Sequence, residues 1–203
     1  IYAGLIADDL PDGDERKQHI QKVIQEVRKL NLVIAEFLDF ARPSPPYPQP
    51  TALAPLVADA AFLLAPEMKK AAIEYRAQVA AELEAYIDAE QIKRALVNLM
   101  KNGVQAMRNG GILLAQAREE QDEVVIEIVD DGPGMSVEVR ERLFEPFFTT
   151  KEQGSGLGMA VVSMAVEENR GHIEIESPES GGTVCRLRLP RVAEAEAESE
   201  EGF

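Results

Sequence analysis

The sequence is short of several residue types that mark whole classes of protein. Its 203 residues include no tryptophan, one cysteine and two histidines. A lone cysteine, Cys185, forms no disulfide within the chain and no cysteine metal cluster. That excludes a disulfide-stapled scaffold and fits a reducing, cytoplasmic compartment. Basic residues are outnumbered, 21 Lys and Arg against 36 Asp and Glu, for a formal charge of −15. A general nucleic-acid binder wants a basic face, so no nucleic-acid partner is expected. Long apolar runs are missing too. No stretch approaches the length of a membrane span, and no signal-peptide pattern is visible.

What is present suffices for a core, since 45% of the residues are hydrophobic. In residues 14–42, Ile20, Val23, Val27, Leu30, Ile34, Phe37 and Ala41 recur at alternating spacings of three and four. That is a heptad seam, and a seam needs a partner helix. Residues 1–7 read as the end of a preceding helix, and "DDLPDGD" as a turn with Pro11 and Gly13 as breakers. Residues 1–42 are therefore expected to form a partial antiparallel helical hairpin. Five prolines follow in "RPSPPYPQP", which predicts a stiff linker over residues 43–50.

Residues 51–190 mix their elements. Apolar periodicity predicts helices over 53–71, 89–107, 137–143 and 157–169, and strands over 73–79, 84–87, 112–118, 124–129, 172–177 and 183–189. The third and fourth strands are expected to pair across "EEQDE", and the last two to form a second hairpin. Strands pairing with neighbours while helices gather elsewhere predict an α+β sandwich. The end of the chain, residues 191–203 with "AEAEAESEEGF", has no core pattern and reads as an acidic disordered tail.

Three stretches carry chemistry. "GSGLGM", Gly154 to Met159, alternates glycine and runs into a helix, a pattern that suits phosphate bound by backbone N–H groups. It is neither a Walker loop nor a dinucleotide fingerprint. Asn98 and Asn102 in "LVNLMKNGVQAM" share one helical face, and an amide oxygen is a hard, neutral ligand suited to Mg²⁺. In "VVIEIVDDGPGM" an apolar strand stops at Asp130. A buried carboxylate there can accept the amino group of adenine, while Gly132 and Gly134 leave room for a flat base. Each feature also has an ordinary reading, as an exposed polar face, a flexible hinge or a turn cap.

Together and in this order, "NLMKNG", "DDGPGM", "LFEPFFTTK" and "GSGLGM" resemble the N, G1, F and G2 boxes of the catalytic ATP-binding domain of bacterial sensor histidine kinases. "GGTVCRL", Gly181 to Leu187, is similar to that family's last glycine box, and the helix ending in "LDFARP" to the second helix of its dimerisation domain. The layout is most like nitrogen-regulator-type kinases. The resemblance implies an α/β sandwich of the histidine kinase, gyrase and heat-shock chaperone type over residues 51–190, preceded by the partial hairpin. It implies ATP and Mg²⁺ as cofactors, a homodimer through the hairpin, and a response-regulator receiver domain as partner. The parent is expected to be cytoplasmic or the cytosolic part of a membrane-anchored sensor.

Roles follow by position. The resemblance puts Asp130 on the adenine amino group, with Thr183 behind it, and has Gly132 and Gly134 shape the base pocket. It puts Asn102 on Mg²⁺ and Asn98 near the phosphates, which Gly154, Gly156, Leu157 and Gly158 frame. A lid over residues 144–154 is implied, anchored by Phe144, Phe147 and Phe148, three residues that also suit ordinary core.

The family's phosphoacceptor motif, like His-Glu-x-x-Asn-Pro, is not in this sequence and is expected just upstream of Ile1. His19 is followed by Ile20 rather than an acidic neighbour, and "GHIEIES" offers His172 no partner. Where some members carry a basic phosphate contact, this chain has Gln105, so charge compensation falls to Mg²⁺ and to Lys151, with Lys101 or Arg94 as further candidates. The leading expectation is a histidine kinase core that transfers the γ-phosphoryl of ATP to a histidine of its parent chain. The alternative is a non-catalytic nucleotide-binding or dimerisation module of the same fold. A mismatch-repair or gyrase-type ATPase is disfavoured, because the heptad helix has no place there.

Overall fold

The computed structural model describes residues 6, 10–11, 14–41, 45–151 and 154–192, and the chain divides into two compact units, Ile1–Pro43 and Ser44–Phe203. In the first unit, helix α1 (Glu15–Ala41) runs for 27 residues without an internal proline or glycine. Its seam is bare within one chain, with Val23, Val27, Leu30, Ile34 and Phe37 each 45–61% exposed. Apart from Ile6, the expected helical stub lies outside the described residues, as do residues 42–44 and the tail from 193 onward.

The second unit holds a five-stranded sheet in the order β2-β4-β5-β7-β6 and a two-stranded sheet of β1 with β3. The strands are β1 (Gln49–Ala52), β2 (Ile73–Gln78), β3 (Glu84–Ile87), β4 (Gly111–Glu120), β5 (Glu123–Asp130), β6 (His172–Glu176) and β7 (Thr183–Pro190). All pairings are antiparallel except β2 with β4, which are joined by a long crossover. The helices are α2 (Leu53–Lys70), α3 (Ala89–Ala106), α4 (Val137–Arg142) and α5 (Gly158–Glu168). Helix α3 packs against both α2 and α5 and meets β4 and β5. This is the expected α+β sandwich.

Its core follows from the patterning. Ile92, Leu96, Leu99 and Met100 of α3 are at most 2% exposed. They meet Val124, Ile126 and Ile128 of β5, alternate residues on one face of the sheet. On the opposite face, Glu127 is buried between Arg118 (3.0 Å) and Arg186 (2.7 Å), and it also accepts from the Gln116 amide. Val125 lies between its register partners Arg118 and Arg188 and is fully buried on that polar face. Its cover is consistent with the aliphatic stems of the flanking arginines.

Three details differ from the sequence reading. The Pro-rich stretch ends in a strand, with Gln49 and Pro50 opposite Ile87 and Tyr86. The β4–β5 turn is tighter than "EEQDE" suggested, because only Gln121 and Asp122 remain unpaired, Gln121 with φ 52°. Finally, His172 does have a partner: Glu174, two residues along the same strand face, lies 3.1 Å from its Nε2.

The start of α3 and the end of α5 are tied by a polar cluster. Asp88 caps α3 through the Glu90 and Gln91 amides, both at 3.0 Å, and also accepts from Tyr47 N at 2.9 Å. Asn169, only 1% exposed, accepts from Asp88 N at 2.6 Å and donates to Gln91 Oε1 and Ala165 O. The two helices are thereby fixed against each other at the ends away from Asn102 and Gly158.

Candidate functional site

The first cluster forms where β5 ends. Asp130 is 9% exposed and stands beside Thr183 in the β5–β7 register. Its Oδ1 accepts from Gly132 N at 3.0 Å, and the Thr183 hydroxyl bonds the carboxylate. Burial pushes its pKa up, the Gly132 and Thr183 hydrogen bonds pull it down, and the neighbouring Asp131 charge pushes it up again. The net shift is upward. This carboxylate has been taken out of water, and among the described residues no cation contributes to its shift.

Glycine is required around it. A Cβ on Gly132 would lie 2.8 Å from Asp130 Oδ1. Gly134 has φ +74°, and a Cβ there would lie 2.6 Å from Ser177 Oγ. The loop is held to the β6–β7 connection by Gly182 N donating to Gly132 O at 2.7 Å and by Met135 N donating to Ser177 Oγ at 2.8 Å.

The second aspartate does a different job, which the sequence reading missed. Asp131 is exposed, and its Oδ1 accepts from Ile112 N at 2.8 Å, fastening the loop to the start of β4. A Cβ on Gly111 would sit 2.3 Å from that oxygen, so the glycine pair where β4 begins was the available signal.

The second cluster lies between α3 and the start of α5. Asn98 Oδ1 is 3.6 Å from where a Gly158 Cβ would sit, and Asn102 Nδ2 lies 3.1 Å from Met159 Sδ. Both asparagines therefore face the first turn of α5. That turn has no side-chain cap, since its N-cap residue is Leu157, fully buried and without a capping group. A helix N-terminus with uncapped N–H groups and the positive end of its dipole is suited to an anion.

Lys151 completes this cluster. Its ammonium donates to Asn102 Oδ1 and to Gln105 Oε1, both at 2.6 Å. The residue is exposed, yet desolvation beside α3 lowers its pKa, with the Lys101 charge a smaller contribution in the same direction.

The loop between the clusters is fixed by close backbone approach. Phe147 N donates to Gly156 O at 3.0 Å, and a Cβ on Gly156 would lie 2.4 Å from the Phe147 carbonyl carbon. Gly154 is exposed, with Thr149 Oγ1 2.6 Å from its would-be Cβ. The three phenylalanines part company. Phe144 packs against the core, Phe148 lies under the Arg142 guanidinium at 4.3 Å, and Phe147 is 62% exposed with φ 67°. Residues 152 and 153 of the expected lid lie outside the described residues.

These groups fit ATP with a divalent cation. The glycines beside Asp130 keep the loop close to its carboxylate, with no side chain at positions 132 and 134. Among the described residues no group of three His, Cys, Asp or Glu side chains could hold a metal unaided. The donors on offer are neutral amide oxygens beside a helix N-terminus, which suit a hard cation that brings phosphate and water ligands with it.

Residues 87–193 match the family model described as "Histidine kinase-, DNA gyrase B-, and HSP90-like ATPase". The chain belongs to this ATPase family. Its relatives place it among the sensor histidine kinase catalytic domains. It is 32% identical over 189 residues to sensor histidine kinase ZraS of Escherichia coli (strain K12), an alignment covering 93% of this chain and 41% of ZraS. With nitrogen regulation protein NtrY of Azorhizobium caulinodans it shares 31% identity over 175 residues, 82% of this chain and 22% of NtrY. The nucleotide-free catalytic domain of histidine kinase ThkA superposes with a TM-score of 0.66 at 27% identity, covering 71% of this chain and 96% of ThkA's domain. The chain thus spans well under half the length of these curated relatives. Among its described residues no helix is long and apolar enough to cross a membrane.

Proposed function

We propose that this domain binds Mg-ATP and donates the γ-phosphoryl group to a histidine of its parent chain, from which it passes to an aspartate of a response-regulator receiver domain. The observation that carries the proposal is the uncapped N-terminus of α5 facing Asn98 and Asn102. Few structural roles call for two amides turned toward a helix N-terminus that its N-cap side chain leaves uncapped, and a polyphosphate with its cation calls for both.

In this reading Asp130 accepts a hydrogen bond from the adenine amino group, and Thr183 and Gly132 N hold the carboxylate in place. Gly132 and Gly134 keep side chains away from the base. The N–H groups of the first α5 turn and the glycines at 154, 156 and 158 orient the phosphates. Asn102 Oδ1 would hold Mg²⁺, with Asn98 beside it, and the cation would supply positive charge to the phosphate chain. Transfer joins an imidazole nitrogen to the γ-phosphorus as the bond to the departing ADP oxygen breaks. It depends on positioning and charge stabilisation rather than on a protein nucleophile in this domain. His19 is exposed on α1 and His172 is paired with Glu174, and neither is assigned the acceptor role. The exposed α1 seam is assigned to a homodimer, in which a second hairpin would cover it.

Two measurements test this. Calorimetric titration with ATP and ADP should show saturable binding strengthened by Mg²⁺. Mixing the domain with a histidine-bearing hairpin and γ-labelled ATP should then give acid-labile label on the hairpin. No binding overturns the nucleotide assignment. Binding without transfer supports the non-catalytic module instead.

A further inference from the structure

Lys151 is seated on the very oxygen assigned to the metal. Its ammonium bonds Asn102 Oδ1 and Gln105 Oε1 at 2.6 Å each, so residues three apart on α3 offer it two acceptors on one face. Asn102 is held in this orientation from its other side by the Nδ2 contact with Met159 Sδ. The lysine backbone is also pinned, because its N–H donates to Thr149 Oγ1 at 3.1 Å and its carbonyl accepts from Gly154 N at 3.3 Å.

From this geometry we propose that Gln105 is a positioning residue that seats Lys151 over Asn102, so that the loop carrying Lys151 is latched to α3 by a cation which the nucleotide-bound metal must displace. The proposal rests on the assignment of Asn102 as the metal ligand. An ammonium and a divalent cation cannot share one amide oxygen, because like charges a few ångströms apart repel strongly at a site partly shielded from water. Arrival of the metal with nucleotide therefore exchanges one cation for another, and Lys151 leaves with its loop. The absence of a basic residue at position 105 has the same explanation. Where a fixed positive charge would stand on α3, this chain has an acceptor that holds a positive charge delivered by the loop.

Gln105 is exposed, so Gln105→Leu should leave the fold intact. Hydrogen exchange at the amides of residues 147–151 in nucleotide-free protein reads the latch directly. Exchange should be about tenfold faster in both Gln105→Leu and Lys151→Met, the scale of one charge-assisted hydrogen bond. Affinity for ADP, measured by calorimetry in chelator and in Mg²⁺, reads the competition. The gain from Mg²⁺ should rise several-fold in each single variant. The double variant should show no more than Lys151→Met alone, since Gln105 acts only through the lysine. Unchanged exchange, an unchanged or smaller Mg²⁺ gain, or additive effects in the double variant would overturn the proposal. Failure of the parent chain to bind ADP in either buffer would instead remove the nucleotide assignment, and the exchange rates would still decide whether the latch exists.

Discussion

Replacing Asp130 by Asn should weaken nucleotide binding and, at the same time, leave the nucleotide-free domain at least as stable. The two side chains have nearly the same shape, so the change swaps a charge and one acceptor for a neutral amide without opening a cavity. If the adenine amino group donates to this carboxylate, binding loses a hydrogen bond to a charged acceptor and gains an opposed pair of donors. That is worth about 1.5–3 kcal/mol, roughly a ten- to hundredfold weaker Kd.

Stability responds with the opposite sign. Burial raises the Asp130 pKa in the folded state, which means the fold holds a proton here more tightly than the unfolded chain does. Such a group lowers stability as pH climbs from the ordinary aspartate value, about 3.9, through the raised folded value. Above that window the full cost of keeping a buried charge is present. A neutral amide at this position carries no such cost, so Asp130→Asn should melt at or somewhat above the parent temperature at pH 7, with the gap closing as pH is lowered toward the ordinary aspartate value. The assays are calorimetric titration with ADP and thermal melts at several pH values. An unchanged Kd in a folded variant would remove Asp130 from the site. A melting temperature several degrees below the parent at pH 7 would show that the Thr183 and Gly132 hydrogen bonds outweigh burial, contrary to the reasoning.

Other perturbations probe other parts of the fold. Gly156→Ala forces a side chain onto a φ of +72° and against the Phe147 backbone. It should cost about 1–3 kcal/mol, seen as a lower denaturation midpoint or as faster proteolysis of residues 145–157, and a variant matching the parent in both would refute the close approach. Asn169→Ala removes three hydrogen bonds, those with Asp88 N, Gln91 Oε1 and Ala165 O. A loss of about 2–4 kcal/mol in urea denaturation is expected, and a loss under about 1 kcal/mol would mean water replaces the amide freely. At Glu127 burial pushes the pKa up, but the hydrogen bonds from Gln116, Arg186 and Arg118 more than offset it and hold the value below the ordinary range. Its stabilising contribution is therefore present above about pH 4.3 and lost as pH falls through the lowered folded value. Glu127→Gln should be less stable at pH 7 and show a shallower loss in acid; equal slopes would remove Glu127 from the acid transition.

Much of this fold was legible because burial writes a period into sequence. The alternation of "VVIEIVD" and the face carrying Ile92, Leu96, Leu99 and Met100 identify β5 and α3, since each must turn its apolar side to the same core. Strand β1 escaped because four residues, two of them exposed, carry no apolar alternation, inside a proline-rich stretch whose composition says only that it is extended. The tie between Asp88 and Asn169 escaped for another reason. The partners are 81 residues apart, and a buried asparagine has no periodic signature until its neighbours are known.

The paired aspartates mark the limit of sequence reading at the site itself. Spacing alone presents Asp130 and Asp131 as equals, followed by glycine. Strand alternation separates them, because adjacent residues in an extended chain point to opposite faces. One carboxylate is carried toward α3 and loses its water; the other stays at the surface and fastens the loop to Ile112 N. The buried one has its proton affinity raised, and it is the one beside the glycine cradle. Glycine follows because the turn must pass within about 3 Å of the carboxylate it has just buried. The lysine on Asn102 belongs to the same class of fact. Residues 102, 105 and 151 become one site only when a loop folds back on a helix, so no window of sequence contains them together.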